Sequence, residues 1–376
     1  MKALSAATHI PNAYRAGMYL GEQLRSIQPE IVFLFSSIDY SDNNDILMGL
    51  NDGLENPNCL IIGNSGDGFY ETNGIGEYGA SALALNSEGK VQWQLKIGYQ
   101  VKEHPQQATR QALAQHQNAN LIFMVSDFHA DASLIEQVLE HEVTTPVVGG
   151  LAADDQQWHG CALYHNQQVL NDCIVALHAI GDIKFSVHIE NSISPIGDIG
   201  QINASFSNRI DAIDQLDAMR FIEKQTGKPI LRSDRGSISL TIIDHQQQLK
   251  RLRSIKSDIG EDANSVFVYG GIPEGQKVQV CIAQPEQLIE EVYRVAQQAQ
   301  QKNHFAVAAI VVSCAGRKSL LGAQLNHEVD AVKQHFNSLP MIGFPSLGEI
   351  GPLKNQNGQD INLFHNMTYV LLLINS

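Results

Sequence analysis

The clearest pattern along the chain is a strand–helix–strand unit that occurs three times. In the first copy, the apolar run "EIVFLFSS" (30–37) predicts a strand, "NNDILMGLNDGL" has helical spacing, and "NPNCLIIGNSG" predicts a second strand that ends in a glycine loop. The same order recurs at 120–155 and at 305–349. In each copy a proline precedes the second apolar run and a glycine ends it: Pro57 and Gly63, Pro146 and Gly149, Pro340 and Gly343.

Each copy predicts a pair of parallel strands. Strands that are separated by a helix of this length pair in parallel through right-handed crossovers, so both strands of a copy end on the same side of their sheet. Open α/β sheets bind ligands in crevices at the carboxyl ends of such strands. We therefore expect the three glycine loops, and the segments that follow the three first strands, to line crevices.

The stretches between the copies alternate apolar and polar residues, which is typical of antiparallel strands. Residues 79–99 and 161–180 predict hairpins that turn at Ser87–Gly89 and near Asn166. Further strands with this alternation are predicted at 183–189, 237–243, 277–282 and 367–374. The expected fold class is α/β, with two related halves whose mixed sheets are built from strand–helix–strand units plus antiparallel hairpins.

A boundary between two domains is predicted near residue 205. The stretch 189–208 is rich in glycine, serine and asparagine and has no clear period. We expect an N-terminal domain at 1–205 and a C-terminal domain at 206–376, the second opening near a helix predicted at 215–227. Two domains also suit a chain of 376 residues, since one domain typically has roughly 100–200.

Residues Gly74–Gly79 match the G-x-G-x-x-G pattern of dinucleotide-binding loops. That pattern binds a pyrophosphate only when a strand precedes it and a helix starts at it, because the phosphates lie at the helix N-terminus. Here the following residues predict a hairpin, not a helix. We interpret the stretch as a glycine-rich turn between strands.

Composition excludes several classes of protein. Lys and Arg number 25 against 40 Asp and Glu, which gives a net charge of −15 and argues against binding to nucleic acid. No segment approaches the roughly 20 apolar residues that span a bilayer, so we expect a soluble, cytoplasmic protein that does not bind membranes. The five cysteines are widely spaced and never form C-x-x-C, so we expect reduced thiols.

One apparent metal-binding motif is discounted. His159, Cys161 and His165 would share one face of a strand. The successive gaps along an extended strand would be roughly 7 and 13 Å, so the three side chains cannot reach one ion.

Motifs in both halves carry a resemblance to a known family, the FIST domains. In the first half, "LIIGNSGDGFYE" (60–71) and "TPVVGGLAADD" (145–155) resemble that family's Gly-Cys-Ser/Thr-x-x-Gly-Glu loop and its Pro-Val-x-Gly-Gly-x-Ala segment, although Asn64 stands where Cys is common. In the second half, three segments are similar to its Ser-Cys-x-x-Arg, Gly-Phe-x-x-x-Gly-Glu-Ile-Gly-Pro and His-Asn-x-Thr signatures: "VVSCAGRKSLLG", "MIGFPSLGEIGP" and "FHNMTYVLLLI".

The resemblance implies a sensory protein of signal transduction that binds a small molecule such as an amino acid. The residues expected to bind that ligand lie in these loops and motifs: Asn64, Ser65, Gly149, Gly150, Cys314, Arg317 and Glu349. Stand-alone members of the NosP type, which this chain resembles in size, bind haem and sense nitric oxide. They act on a separately encoded histidine kinase or on a GGDEF/EAL enzyme of cyclic di-GMP metabolism, and a homodimer is a further expectation left open.

Two residues of the second half allow more than one interpretation. Arg317 could bind the carboxylate of an amino acid and Glu349 its ammonium group, or the two could form an ion pair that braces two loops. Cys314 could act as a nucleophile with His365 as its base, or it could be a buried, unreactive thiol. No catalytic constellation is evident, so we expect no enzyme, and a cysteine-dependent hydrolase or transferase ranks third behind the two sensor hypotheses.

Non-covalent haem needs an axial ligand, usually histidine, in an apolar pocket. The alternation in "KFSVHIE" places His188 on the polar face of a strand near the expected boundary, and His178 would end the preceding, antiparallel strand. We rank His188 first as the axial ligand, His178 second and His129 third. The leading specific hypothesis is a haem-based nitric oxide sensor, and the alternative is a haem-free receptor for an amino acid or metabolite.

Overall fold

The computed structural model describes residues 1–40, 43–154, 160–191, 193–243, 251–256, 264–302 and 305–376. The strands before residue 191 are β1 (Lys2–Thr8), β2 (Ile31–Ser37), β3 (Leu60–Gly66), β4 (Phe69–Glu71), β5 (Gly74–Gly76), β6 (Ala80–Asn86), β7 (Val91–Tyr99), β8 (Leu121–Ser126), β9 (Val147–Leu151), β10 (Leu163–His165), β11 (Gln168–Leu170), β12 (Cys173–Gly181) and β13 (Lys184–Glu190).

The strands after residue 191 are β14 (Pro195–Phe206), β15 (Arg209–Ile213), β16 (Leu216–Asp217), β17 (Ile238–Ile243), β18 (Arg251–Ser254), β19 (Val266–Phe267), β20 (Lys277–Ile282), β21 (Ala306–Cys314), β22 (Met341–Ser346), β23 (Glu349–Lys354), β24 (Asp360–His365) and β25 (Tyr369–Asn375). The helices are α1 (Ala13–Leu24), α2 (Asn43–Leu54), α3 (Pro105–Ala112), α4 (Ala132–Glu142), α5 (Ala218–Thr226), α6 (Pro285–Lys302), α7 (Ala315–Leu321) and α8 (His327–His335). The mixed α/β fold class is confirmed.

Three six-stranded sheets share one plan. Their strand orders are β1-β6-β2-β3-β10-β11 in sheet 1, β7-β12-β8-β9-β23-β24 in sheet 2 and β13-β25-β21-β22-β4-β5 in sheet 3. The pairs β2/β3, β8/β9 and β21/β22 are parallel, which confirms the three predicted units. In each sheet the first four strands belong to one copy of the unit, which we call units 1, 2 and 3.

The last two strands of each sheet come from a different unit. Hairpin β4–β5 leaves unit 1 and pairs with β22 of unit 3, β10–β11 leaves unit 2 and pairs with β3 of unit 1, and β23–β24 leaves unit 3 and pairs with β9 of unit 2. The three units therefore exchange hairpins in a closed ring. This exchange ties segments that are hundreds of residues apart in sequence into one fold.

The repeated glycine lies within each second strand, not at its end as expected, and it has the same role in all three units. Gly63, Gly149 and Gly343 lie opposite Leu34, Met124 and Val311 of the parallel neighbour. A Cβ atom at these glycines would lie 1.7, 1.8 and 2.2 Å from the carbonyl oxygen of that neighbour. The repeated glycine thus allows close approach of two backbones.

The predicted hairpin at 79–99 is wrong, although its turn exists. Strand β6 pairs with β1 and β2 in sheet 1, whereas β7 pairs with β12 in sheet 2. Glu30 accepts hydrogen bonds from the amides of Ser87 (3.0 Å) and Gly89 (2.9 Å) and from the Trp93 indole (2.9 Å). These bonds hold the turn at the start of β2 and direct the chain into the next sheet. The hairpin predicted around Asn166 is confirmed as β10–β11, with φ 55° at Asn166.

The inner faces of the three sheets meet in one apolar core. Phe35 of sheet 1 contacts Phe344 of sheet 3 with ring centroids 4.7 Å apart, and Phe33 meets Phe123 of sheet 2 edge-on at 5.3 Å. Helices cover the outer faces: α1 and α2 pack on sheet 1, α3 and α4 on sheet 2, and α6 and α8 on sheet 3. The core fixes the positions of the strand ends, where the site lies.

A smaller body is inserted in unit 3 between β13 and α6. It consists of α5 and a seven-stranded sheet with the path β16-β15-β14-β20-β17-β18, on which β19 pairs with β15. It has an apolar core of its own, with Phe221, Leu240 and Val280 fully buried. We call residues 195–282 the inserted body. The predicted boundary at 205/206 falls at the end of β14, within this body.

Candidate functional site

A cavity of about 340 Å³ lies at the carboxyl ends of β8 and β9, beneath the inserted body. The topology predicts a crevice at this edge of the sheet. The residues that line it are Lys102, Phe128, His129, Ala130, Asp131, Ala132, Leu151, Ser207, Asn208, Lys256, Tyr269, Gly270, Leu347 and Phe364. We call it the His129 cavity. Its volume is in the range of small-molecule sites, which is about 300–1,000 Å³.

Asp127 orients the histidine of this cavity. Its carboxylate lies directly after β8 and is about 1% exposed. Oδ1 accepts hydrogen bonds from the His129 amide (2.9 Å) and from His129 Nδ1 (2.7 Å), and Oδ2 accepts one from the Asp172 amide (2.9 Å). The imidazole Nδ1 is therefore the protonated nitrogen, which leaves Nε2 as the lone-pair side of the ring. The Phe128 ring stacks on the imidazole at 4.1 Å.

Asp127 is a charged carboxylate despite its burial. Burial alone would raise the pKa of Asp127, but the amides of His129 and Asp172, the His129 ring and Lys102 outweigh it and lower the pKa below its ordinary value. Lys102 Nζ lies 3.6 Å from Oδ2. The charge is what holds the imidazole in one tautomer and one orientation.

The remaining polar groups of the cavity favour an anion. Lys102 enters from the turn after β7, and Lys256 lies over the ring of Tyr269 with its Nζ 4.9 Å from the centroid. Helix α4 begins at Ala132 in the wall, and the carboxylate of Asp131, which also lines the cavity, occupies its positive end. Asp131 caps that helix through the Ser133 amide (3.0 Å) and also accepts a bond from Ser207 of the inserted body (3.0 Å).

A second cavity of about 90 Å³ lies at the carboxyl end of β21 and shares Tyr269 and Leu347 with the first. Its other lining residues are Gly236, Ser254, Ile255, Cys314, Ala315, Gly316, Ser319, Asn366 and Met367. We call it the Cys314 cavity. Its volume is smaller than that of the His129 cavity, and its walls are mainly apolar side chains and backbone.

Cys314 and Glu349 form a neutral pair beside this second cavity. Burial, reinforced by Glu349, raises the pKa of the Cys314 thiol. Burial also raises the pKa of Glu349 well above its ordinary value, although the Thr368 amide, Arg317 and Cys314 favour the charged form. Thr368 N–H donates to Glu349 Oε2 at 3.1 Å. A thiol in such surroundings is a poor nucleophile.

Family models cover both halves of the chain. A model described as the FIST N domain matches residues 30–216, and one described as the FIST C domain matches residues 220–352. The chain is a FIST protein. FIST domains are sensory domains of signal transduction that bind small ligands. The two cavities at the strand ends are therefore candidate ligand sites.

Other comparisons add little to this assignment. No curated protein matches the chain. Among solved structures the chain is similar to PurLQS from Thermotoga maritima, with a TM-score of 0.22 and 8% sequence identity over 100% of this chain and 72% of that chain. A likeness at that level supports no argument about fold or function. In the part of the chain that the structure describes, no helix is long and apolar enough to cross a membrane.

Arg317 of this FIST protein is a structural residue in the arrangement described. Its side chain has no exposed surface, and it pairs with Glu328 (2.7 Å) and Glu291 (3.0 Å) and donates to the Leu288 carbonyl (3.1 Å). It thus binds α6 and α8 to the start of α7. The expected ion pair with Glu349 is not seen, because the guanidinium pairs with Glu328 and Glu291 instead. Arg317 also lines neither of the two cavities.

The glycine-loop residues of the first half also lie in the sheets. Asn64 and Ser65 immediately precede Gly66, the last residue of β3, and are fully buried. The Ser65 amide donates to the Ala162 carbonyl at 2.8 Å, and the Ser65 hydroxyl accepts from the Ala162 amide at 2.9 Å. Gly149 and Gly150 pair with Ile350 and Glu349 of the hairpin from unit 3. Of the seven expected ligand-binding residues, Cys314 is the one that lines either of the two cavities described above.

The three candidate histidines lie in different places. His178 donates from Nε2 to the Ala112 carbonyl at 2.9 Å, and His188 bonds Ser186 at 3.0 Å beneath α6, where it is 8% exposed. Burial lowers the pKa of each to about 4, so both rings are neutral. Their strands are not neighbours as expected, because β12 pairs with β7 and β8 whereas β13 pairs with β25. His129, ranked third, is the candidate that lines a described cavity.

Two further expectations concern catalysis and metal binding. The expected hydrogen bond between His365 and Cys314 is not seen. His365 Nε2 donates instead to the Gly351 carbonyl at 3.1 Å, and burial lowers the pKa of the ring to about 4. Among the described residues no group of three His, Cys, Asp or Glu side chains could hold a metal ion. His159, part of the discounted metal motif, lies outside the described residues.

The residues that sequence reasoning missed are Asp127, Lys102, Lys256 and Tyr269. The sequence "SDFHAD" does contain a signal for the first of them, an aspartate two residues before a histidine directly after a buried strand. Lys256 and Tyr269 belong to the inserted body, and nothing local in their sequence indicates that they cover unit 2.

Proposed function

We propose that this FIST protein is a receptor for a small, carboxylate-bearing ligand that binds in the His129 cavity. The observation that carries the proposal is the set of groups around that cavity: Lys102 and Lys256 favour a negative charge, and His129 is held in one orientation by Asp127. Phe128, Tyr269 and Phe364 supply aromatic surface for the remainder of the ligand. This is the haem-free receptor of the sequence analysis, but the residues that bind the ligand are different ones.

The test is a calorimetric titration with a panel of carboxylates: butyrate, octanoate, glycine and glutamate. We expect the double variant Lys102→Met/Lys256→Met to bind the best of these at least about tenfold more weakly than wild type, because each charge-assisted contact contributes about 1.5–3 kcal/mol. Lys354→Met, which removes an exposed cation paired with Asp360 on the β23–β24 hairpin, is the control and should bind as wild type. Equal binding by wild type and the double variant would refute this site.

A haem-based nitric oxide sensor is the second candidate, and one observation favours it. A histidine whose Nδ1–H donates to a carboxylate is the usual arrangement of a metal-ligating imidazole, and His129 has it. Bound haem would supply an iron centre for nitric oxide. On this proposal His129 would hold the iron through Nε2, and Lys102 and Lys256 would hold the propionates.

Visible spectra separate the haem proposal from the haem-free one. We expect that protein reconstituted with hemin shows a Soret band that nitric oxide shifts, that His129→Ala abolishes this band and that His188→Ala retains it. A band that survives in His129→Ala but is lost in His188→Ala would restore the first-ranked ligand of the sequence analysis. A protein that cannot be reconstituted would rule out haem and leave the carboxylate receptor.

Signal output through a second protein completes the proposal. The ligand cavity lies between unit 2 and the inserted body, which are joined by the ion pairs Arg253–Glu136 and Arg251–Glu140. A ligand that binds one arrangement of these parts better than another shifts the population of arrangements. We propose that a separately encoded histidine kinase or GGDEF/EAL enzyme responds to that shift, and its activity with and without the ligand-saturated protein is the measurement.

A further inference from the structure

We propose that the His129 and Cys314 cavities form one two-compartment site whose ligand is a carboxylate with a short aliphatic chain. The inference deepens the proposed function and rests on it. The carboxylate occupies the His129 cavity, and the chain passes between Tyr269 and Leu347 into the Cys314 cavity.

The first support is the shared wall. Tyr269 and Leu347 line both cavities, so both residues lie where the two spaces adjoin. Both residues belong to segments that connect strands: Tyr269 lies after β19, and Leu347 lies directly after β22. The Leu347 amide donates to the Leu151 carbonyl at 3.2 Å. Connecting segments are more mobile than the strands they join, and on this proposal a rotation of these two side chains lets the alkyl chain pass between them.

The second support is the lining of the Cys314 cavity, which offers no charge to a ligand. Ser254 N–H donates to Asn366 Oδ1 at 3.0 Å, the Ser254 hydroxyl bonds Ser239 at 3.0 Å, and Asn366 Nδ2 donates to the His365 carbonyl at 3.0 Å. These polar groups are already hydrogen-bonded to protein. Burying an alkyl chain here therefore costs no unpaired polar group, whereas burying a charge would.

The third support is the floor of this cavity, where sulfur atoms and backbone replace larger side chains. A Cβ atom on Gly316 would lie 2.7 Å from Met367 Sδ and 3.5 Å from Cys314 Sγ. The volume of about 90 Å³ is below the roughly 150 Å³ of an engineered cavity that holds benzene. The compartment therefore suits a few methylene groups rather than an aromatic ring.

The chain lengths of straight carboxylates test the inference. We would titrate the folded, full-length protein by calorimetry with the even-numbered acids from acetate to decanoate. We expect affinity to increase about fourfold for each methylene that enters the Cys314 cavity, and then to level off. Ala315→Leu fills this cavity and should remove the dependence on length while acetate and butyrate bind as before. Gly316→Ala fills less of it and should end the increase at a shorter chain.

Lys256→Met separates the two compartments. It should weaken all members of the series by one common factor and leave the dependence on length unchanged. Affinity that is independent of length in wild type, or a dependence that persists in both Ala315→Leu and Gly316→Ala, would overturn the two-compartment site while binding of the short acids still supports the receptor. Absence of binding for every acid in the series would instead contradict the proposed function itself.

Discussion

The crevices after β8 and after β21 occupy the same position in two copies of one unit, yet their chemistry is opposite. Asp127 in unit 2 and Cys314 in unit 3 are equivalent residues, because each lies three residues after the strand residue that pairs with the repeated glycine. Asp127 receives two backbone amides and a histidine N–H, so its pKa is lowered and it is charged. Beside Cys314, Glu349 is buried with fewer donors, so its pKa is raised and it is neutral.

The difference shows what the repeated backbone decides and what it leaves open. The backbone places Asp127 and Cys314 at equivalent positions. The balance between burial and the hydrogen-bond donors that reach Asp127 or Glu349 decides the charge of each of these two carboxyl groups. The cations follow the same division. Lys102 of unit 2 and Lys256 of the inserted body line a cavity, whereas Arg317 of unit 3 is enclosed by Glu291 and Glu328. One copy thus provides a charged compartment, and the other provides an apolar one.

Removal of the enclosed cation is expected to have the largest effect on stability. Arg317→Met leaves Glu291 and Glu328 buried without a counter-charge, which should lower the free energy of unfolding by about 3–5 kcal/mol. Urea unfolding followed by circular dichroism is the measurement. Arg110→Met, which breaks a half-exposed pair with Glu142, should cost less than about 1 kcal/mol.

A triple variant sharpens that result. Arg317→Met combined with Glu291→Gln and Glu328→Gln removes the uncompensated charges and should recover part of the lost stability. A triple variant less stable than Arg317→Met would mean that Arg317 acts through packing rather than through charge.

A smaller effect, with opposite signs in the two crevices, is expected from pH. Asp127 has a lowered pKa, so the stability that its charge provides is present above pH 3.8 and is lost as the pH falls through its folded-state pKa. Asp127→Asn should therefore be about 1–2 kcal/mol less stable than wild type at pH 7, and the difference should shrink below pH 4. Urea midpoints across pH 3–8 are the measurement.

Glu349→Gln provides the matched comparison. The pKa of Glu349 is raised, so its contribution is complete below pH 4.5 and is lost as the pH rises toward the folded-state pKa. Wild type should lose stability relative to Glu349→Gln as the pH increases from 5 to 8. The loss is about 1.4 kcal/mol for each pH unit over which Glu349 is protonated in the folded protein and ionised in the unfolded chain. If both variants change with pH in the same direction, the contrast between the crevices is wrong.

The sequence predicted the three units because their signals are local. Apolar runs, helical spacing and the proline and glycine around each second strand are all visible within about 35 residues. The exchange of hairpins could not be predicted, because β4 and β5 have three residues each and the strand that pairs with β4 in sheet 3, β22, lies far along the chain. The prediction that no helix starts at the glycine motif is confirmed: Gly76 lies in β5, strand β6 comes next, and the missing side chain of Gly76 makes room for the Phe69 ring.

The candidate site was predictable only in part. Its location at the strand ends follows from the parallel pairs, but which of the 14 histidines faces a cavity depends on how distant elements pack. His188 has an alternating pattern that suggests a polar face, yet α6 covers that face and buries the ring. The walls supplied by Lys256 and Tyr269 come from the inserted body, whose contact with unit 2 has no periodic signal.

The location of the ligand is the central claim, and amide hydrogen exchange tests it most directly. Exchange would be measured on the wild-type protein with and without saturating octanoate, since bound ligand slows local opening. We predict slower exchange in residues 128–131 of unit 2 and 266–270 of the inserted body, because these two segments supply Phe128–Asp131 and Tyr269–Gly270 to the wall of the His129 cavity. Unchanged exchange in both segments, or protection confined to 184–190 around His188, would contradict the account.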